Sequence, residues 1–75
     1  MFLIYESHYL NLGQNIAFYR KRRHLTQEAL AEKVNVNNTH LSRIENGISS
    51  ASLDLIFAIA DALDVEPYKL FQNKE

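Results

Sequence analysis

The chain has 75 residues, of which 47% are hydrophobic and 23% are charged, and its formal net charge is −1 at pH 7. This composition is typical of a soluble globular domain and argues against disorder. The sequence contains no Cys, which excludes disulfides and thiolate metal sites. No apolar run approaches the roughly 18 residues of a membrane span, and the apolar residues 1–5 lack the flanks of a signal peptide. We therefore expect one small cytoplasmic domain.

Positive and negative charges are unevenly distributed along the chain. Residues 1–47 carry six Lys and Arg against four Glu, whereas residues 48–75 carry two Lys against five Asp and Glu. The net charge of −1 argues against a nucleic-acid partner. The distribution weakens that argument, because a polyanion would be attracted to the basic first part of the chain.

The spacing of hydrophobic residues predicts an all-α fold of short helices, since strand patterns are poor. The first helix is predicted over residues 11–23 and ends in four consecutive cations, Arg20 to Arg23, where positive charge is favoured by the helix dipole. The second begins at Thr26, a good N-cap. It ends near Asn35, which tolerates the left-handed conformation of a tight turn.

Three further helices are predicted after this turn. Asn37 caps the third helix, which ends at Gly47 because glycine readily adopts a positive φ. Ser52 caps a fourth helix through Leu63 that is apolar nearly all round, and Pro67 begins a short fifth helix. The predicted core consists of Leu12, Ile16, Tyr19, Leu30, Val34, Val36, Leu41, Ile44, Leu53, Ile56, Ile59, Ala60, Leu63 and Leu70.

The second and third helices are joined by about three residues, and the third has an apolar inner face and an amide-rich outer face, which suggests a helix-turn-helix. The chain strongly resembles the lambda-repressor-like family of Cro/C1-type, or XRE-like, DNA-binding domains. The resemblance rests on the segments LTQEALA (25–31), LSRIENG (41–47), LGxxI (12–16), IAxxL (59–63) and LF (70–71). It implies a compact five-helix bundle over residues 12–71, with an N-terminal extension over 1–11 and a tail over 72–75.

Three positions depart from the family pattern. Asn35 and Asp64 stand where the family usually has Gly, and Ala51 stands where it usually has Pro. Asn and Asp tolerate the left-handed conformation at a modest cost. We therefore expect the fold to be retained, and none of the three positions belongs to the expected DNA face.

The resemblance implies that the third helix, residues 37–46, lies in the major groove and reads bases. Carried over to this chain, the base-contacting residues are Asn38, Thr39 and Arg43, with Ser42 beside them. Their chemistry fits this role, because Asn can bond adenine, Arg can bond guanine and a Thr methyl can touch thymine. The competing interpretation of the same residues is a solvated polar face.

The resemblance also implies contacts to DNA phosphates and an internal ion pair between Arg20 and Glu45. The amide of Gln27 and the start of the second helix suit a phosphate oxygen. His40 either contacts a phosphate or packs against the second helix. The expected phosphate contacts are Thr26, Gln27, Asn37, His40, Asn46, Ser49 and Arg20.

Other functions have weaker support in the sequence. The three His residues, at positions 8, 24 and 40, fit no compact metal motif, so we expect no metal and no cofactor. No nucleophile elbow, P-loop or paired catalytic carboxylates indicate an enzyme. The serious alternative is a protein-interaction module, such as the antitoxin of a toxin–antitoxin pair, because one fold can serve several functions.

A homodimer on a palindromic operator is expected, because one small module reads few base pairs. Phe57, Val65, Tyr68 and Phe71 form a late apolar group that suits a dimer interface, and family members often dimerise through this region. The alternative is that these side chains close the monomer core. Residues 1–10 are a second candidate for the interface, because Phe2, Tyr5, Tyr9 and Leu12 fall on one helical face.

Overall fold

The computed structural model describes residues 4–73, so Phe2 and the end of the predicted tail lie outside the described residues. The chain forms four α-helices, α1 (Glu6–Arg22), α2 (Gln27–Lys33), α3 (Asn38–Glu45) and α4 (Leu53–Leu63), followed by a 3-10 turn (Pro67–Leu70). No strand occurs between residues 4 and 73. The all-α prediction is therefore confirmed.

The prediction of a fifth α-helix was wrong. The segment after Pro67 forms one turn in which the backbone N–H of Lys69 donates to the Glu66 carbonyl and that of Phe71 to the Tyr68 carbonyl. A four-residue segment cannot extend far enough for α-helical bonds to offset the cost of starting a helix. The tighter 3-10 turn suits such a short connection.

Helix α1 begins at Glu6 rather than at Asn11, so part of the predicted extension is helical. Tyr5 precedes the helix without a side-chain capping bond. The added turn rests against the loop after α3, because a Cβ at Gly47 would lie 2.7 Å from the Leu10 Cα. Leu10, which lies in this turn, remains 43% exposed. The turn therefore adds no buried apolar position from which the sequence pattern could have predicted it.

The core lies between α4 and the other helices. Its fully enclosed apolar side chains are Leu12, Ile16, Leu30, Ala31, Leu41, Ile44, Ile56, Ile59, Ala60, Leu63 and Leu70. The predicted Tyr19, Val34 and Val36 are half-buried against this cluster. Leu53 was wrongly placed in the core: it is 63% exposed, because it is the first residue of α4 and stands on the solvent side of that helix.

The predicted caps and turns are confirmed. Ser52 accepts a hydrogen bond from the Leu55 backbone N–H at 3.1 Å. Asn35, Gly47 and Asp64 have φ values of 62°, 75° and 57°, which is the left-handed region that Asn, Asp and Gly tolerate best.

Helix α1 approaches α3 closely at a glycine. A Cβ on Gly13 would lie 2.5 Å from the Glu45 carbonyl oxygen, so only glycine fits there. This approach sets the position of α3 relative to α1. None of the helices found between residues 4 and 73 is long and apolar enough to cross a membrane.

Two asparagines one turn apart on α1 hold the C-terminal segment. Asn15 is 1% exposed, and its Nδ2 donates to the carbonyls of Leu70 at 2.9 Å and Gln72 at 2.7 Å. Asn11 Nδ2 donates to the carbonyls of Phe71 and Gln72. These bonds satisfy carbonyls at the end of the 3-10 turn and in the two residues that follow it. Within the described chain, the buried Oδ1 of Asn15 has no hydrogen-bond partner.

Candidate nucleic-acid interface

Helices α2 and α3 each begin at a capped N-terminus. Thr26 Oγ1 accepts from the Ala29 backbone N–H at 3.0 Å, and Asn37 Oδ1 accepts from the His40 backbone N–H at 2.7 Å. Each cap satisfies one of the donors that a helix start leaves free. The side-chain oxygens of both residues therefore already serve the fold.

Helix α3 separates an apolar face from a polar face. Leu41 and Ile44 are at most 1% exposed and fix the inner face. Asn38, Thr39 and Arg43 are exposed on the outer face, and their side chains make no hydrogen bond within residues 4–73. The polar groups that the sequence predicted to read bases are thus brought together and left available to a ligand.

Ser42 and three of the predicted phosphate contacts, His40, Asn46 and Ser49, differ in exposure. Ser42 and His40 are half-buried, and Asn46 is exposed as the C-cap of α3. Ser49 is half-buried, and its hydroxyl donates to the Ser50 carbonyl at 3.3 Å. Their contacts with DNA stay predictions.

Arg20 and Glu45 form a buried ion pair. Arg20 Nε donates to Glu45 Oε2 at 2.7 Å and its Nη2 donates to Oε1 at 3.1 Å. The side chains are only 10% and 4% exposed. Arg20 Nη1 also donates to the Leu25 carbonyl at 2.8 Å. The pair therefore connects α1, the end of α3 and the segment before α2.

Gln27 belongs to the same network, which the sequence did not reveal. Its Nε2 donates to Glu45 Oε1 at 2.9 Å, from the first residue of α2 to the last residue of α3. The two residues are 18 positions apart, and no local pattern indicates such a bond. Three helices are thus joined through one carboxylate.

Two of the cations that follow Arg20 make contacts within the domain. They therefore do not act only as free surface charges. Arg23 Nε donates to the Leu63 carbonyl at 2.9 Å, and its Nη2 lies 3.3 Å from Asp64 Oδ2. The Arg22 guanidinium stacks 5.5 Å from the centre of the Phe18 ring. Arg23 therefore joins the end of α1 to the end of α4.

Several large apolar side chains of α4 and of the segment after it are exposed. Phe57, Tyr68 and Phe71 are 50%, 57% and 50% exposed, whereas Val65 is half-buried against the core. Leu53, one turn before Phe57 on α4, adds to the exposed apolar surface. The three aromatic rings thus keep about half of their surface outside the monomer core. We call Leu53, Phe57, Tyr68 and Phe71 the C-terminal patch.

The architecture is that of a small all-α domain with two helices in a helix-turn-helix, the second of which exposes an amide-rich face. The family profile described as Helix-turn-helix matches residues 16–70. The chain belongs to this helix-turn-helix family. Between residues 4 and 73, no group of three His, Asp or Glu side chains is placed to hold a metal ion.

Two curated relatives illustrate the range of the family. The immunity repressor protein of Bacillus phage phi105 is 40% identical over 57 residues, which is 76% of this chain and 40% of the relative. The antitoxin PezA of Streptococcus pneumoniae serotype 4 is 43% identical over 54 residues, which is 72% of this chain and 34% of the relative. The chain therefore spans less than half of the length of either relative.

Solved structures share the whole fold. The restriction-modification controller protein C.AhdI from Aeromonas hydrophila has a TM-score of 0.83 and 32% identity, covering 87% of this chain and 98% of its own. The master regulator for biofilm formation SinR, solved in complex with DNA, has a TM-score of 0.77 and 32% identity, covering 81% and 98%. The matches thus extend over nearly the whole of both solved chains.

Proposed function

We propose that this chain binds double-stranded DNA in a sequence-specific manner and regulates transcription, with α3 in the major groove. The observation that carries the proposal is the outer face of α3. Asn38, Thr39 and Arg43 are exposed there without partners in the described chain, and these side chains match the hydrogen-bonding and methyl groups of base edges. The phage repressor and SinR support the same function.

Phosphate contacts would position α3 before any base is read. Gln27 is half-buried beside α3 and has a second amide N–H beyond the one that Glu45 accepts. Thr26, Asn37 and Asn46 are exposed around it. We assign these residues, with the less exposed Ser42, His40, Ser49 and Arg20, to the DNA-facing side of the domain.

Sequence-specific binding can be tested by selecting bound duplexes from a random pool and measuring their affinity against a scrambled duplex of the same composition. We expect the selected duplex to bind at least about a thousandfold more tightly. Both affinities should fall as salt rises, because phosphate neutralisation releases counterions. Equal affinities for the two duplexes at every salt concentration would contradict the proposal.

The similarity to an antitoxin favours one alternative, a module that acts by binding a protein. That function would use the C-terminal patch or the acidic last part of the chain rather than α3. Arg43→Ala distinguishes the two proposals, because it alters the outer face of α3 and leaves the patch unchanged. Loss of DNA selectivity in this variant supports the DNA-binding regulator, whereas absence of DNA binding by the unsubstituted chain favours the protein-binding module.

We further propose a two-fold homodimer through the C-terminal patch, bound to a palindromic operator. A two-fold axis would place two recognition helices one DNA turn, about 34 Å, apart. Exposed aromatic and aliphatic side chains of this kind commonly mark an interface. Val65 packs against the core and lines the same surface depression as Phe57, and residues 1–10 are assigned a smaller part in dimerisation.

Sedimentation equilibrium at the DNA-binding concentration tests the dimer. Phe57→Ser should raise the dimer dissociation constant by tenfold or more, since it removes an exposed ring from the patch. Ile48→Ser is the matched control, because Ile48 is 59% exposed in the loop after α3, outside both the patch and residues 1–10. A strict monomer that binds a single half-site would contradict the proposal.

We also propose that the protein is cytoplasmic and non-enzymatic. A transcriptional regulator acts where the DNA is.

A further inference from the structure

One carboxylate oxygen at the end of α3 receives two hydrogen bonds from different helices. Glu45 Oε1 accepts from Arg20 Nη2 at 3.1 Å and from Gln27 Nε2 at 2.9 Å, while Oε2 accepts from Arg20 Nε at 2.7 Å. The Glu45 side chain is 4% exposed. A buried carboxylate in this setting restricts the side chains that bond it, because charge-assisted bonds are short and directional.

The chemistry of the amide makes this bond relevant to DNA. A carboxylate only accepts hydrogen bonds, so the NH2 end of the Gln27 amide must face Glu45. A phosphate oxygen also only accepts, so the amide oxygen of Gln27 cannot bond it. The remaining N–H on Nε2 is therefore the group with which the Gln27 side chain can reach a phosphate, and its direction is determined once the first N–H is bound to Glu45.

We propose that Glu45 is a positioning residue that holds the amide of Gln27 in the orientation needed to donate to a DNA phosphate. This inference rests on the proposed DNA-binding function. The guanidinium of Arg20 neutralises Glu45, so the carboxylate positions Gln27 without presenting an uncompensated negative charge to DNA. Because Glu45 is the last residue of α3, the phosphate anchor is tied directly to the helix that reads bases.

The free protein offers a test that needs no substitution. In ¹⁵N-labelled protein, the Gln27 side-chain amide should be as rigid as the backbone, with one of its two protons protected from solvent exchange. Gln14 is the matched control, because it is exposed on α1 and its side chain makes no hydrogen bond in the described chain. On addition of duplex DNA, only the second Gln27 proton should shift strongly. A Gln27 amide as mobile as that of Gln14 would overturn the proposal.

Affinity measurements with paired variants test whether Glu45 acts through Gln27. In the native background, Gln27→Met should weaken binding to the selected duplex about tenfold, which corresponds to about 1.4 kcal/mol. The second background replaces the ion pair as a unit, Arg20→Met with Glu45→Met, since exchanging both charges for apolar groups of similar size preserves folding better than leaving one unpaired. In this second background, Gln27→Met should weaken binding to the selected duplex less than threefold.

The outcomes separate the two proposals. A full tenfold loss in both backgrounds overturns the positioning role while leaving DNA binding in place. No DNA binding by the unsubstituted chain overturns the proposed function, and the positioning role with it. A protected Gln27 proton, combined with a smaller loss in the background without the ion pair, supports the positioning role. A purely structural role for Glu45 would change stability without changing the effect of Gln27→Met.

Discussion

The helix-turn-helix side of the molecule and its C-terminal side are secured by different polar contacts over one shared apolar core. On the first side, the Arg20–Glu45 ion pair and the Gln27 amide join α1, α2 and α3, which also bury apolar side chains such as Leu30. On the second side, the apolar helix α4 supplies much of the core, and Asn15 secures the following turn. The first side exposes polar groups, and the second exposes aromatic rings. One small core therefore supports two surfaces of opposite chemistry.

The core shared by both sides should show the largest effect on stability. Leu30→Ala on α2 and Ile59→Ala on α4 should each lower the free energy of unfolding by about 2–5 kcal/mol, because both side chains are fully buried. Denaturant unfolding measures the loss, with Ile48→Ala, exposed and outside the patch, as the control. Losses below about 1 kcal/mol at both sites would show that the core is wrongly assigned, since that is less than a typical cavity costs.

A substitution at the close contact between α1 and α3 should lower the free energy of unfolding by nearly as much as a core substitution. Gly13→Ala places a methyl group against the carbonyls of Ile44 and Glu45, which cannot move without shifting α3. We expect a loss of about 3 kcal/mol, at the upper end of overpacking effects. Gly47→Ala would affect a different contact, with α1 near Leu10. A Gly13→Ala protein of unchanged stability, measured by the same unfolding experiment, would contradict the tight α1–α3 contact.

Substitutions of Asn15 and Asn11 test the contacts of the C-terminal side alone. Asn15→Ala should cost about 1–3 kcal/mol, because it leaves the carbonyls of Leu70 and Gln72 without their donor. Asn11→Ala is the control and should cost less, since its bonds are exposed to water. Hydrogen exchange of the amides in residues 68–71 should increase more in the Asn15 variant. Equal effects of the two substitutions would argue against a special role for the buried amide.

The smallest expected effect is a gain in stability. His24 adopts a φ of 58° in the turn after α1, where a side chain is strained and glycine is not. We expect His24→Gly to raise the free energy of unfolding by about 0.5–1 kcal/mol. Asn35→Gly should give a smaller gain, because the short side chain of Asn can hydrogen-bond locally in this conformation. Destabilisation by both substitutions would show that these turns carry no strain.

Local signals predicted much of the fold, and contacts between distant residues account for what they missed. Thr26, Asn37 and Ser52 were identified as caps because a cap depends on residues three positions away. The early start of α1 and the exposure of Leu53 depend on which neighbours the helices meet. The hydrogen bonds of Asn15 span more than 50 residues, and the amide of Gln27 meets Glu45 only after α2 and α3 have docked.

The candidate site was predicted through the family resemblance rather than through periodicity. Spacing alone indicates that Asn38, Thr39 and Arg43 face outward, but a solvated helix face has the same spacing. The resemblance supplied the DNA-binding interpretation and the pairing of Arg20 with Glu45. Neither the residue spacing nor the family resemblance predicted the bond between Glu45 and Gln27, because that bond follows from side-chain packing.

Selection from one random DNA pool by three proteins, the unsubstituted chain, Arg43→Ala and Gln27→Ala, tests most directly whether the outer face of α3 reads bases. We expect Arg43→Ala to weaken binding to the preferred site by about 1–3 kcal/mol and to lose preference at one base position. Gln27→Ala should weaken all sequences alike and select the original site. If Arg43→Ala also selected the original site at uniformly lower affinity, Arg43 would be a phosphate contact, and its assignment as a base reader on the outer face of α3 would be contradicted.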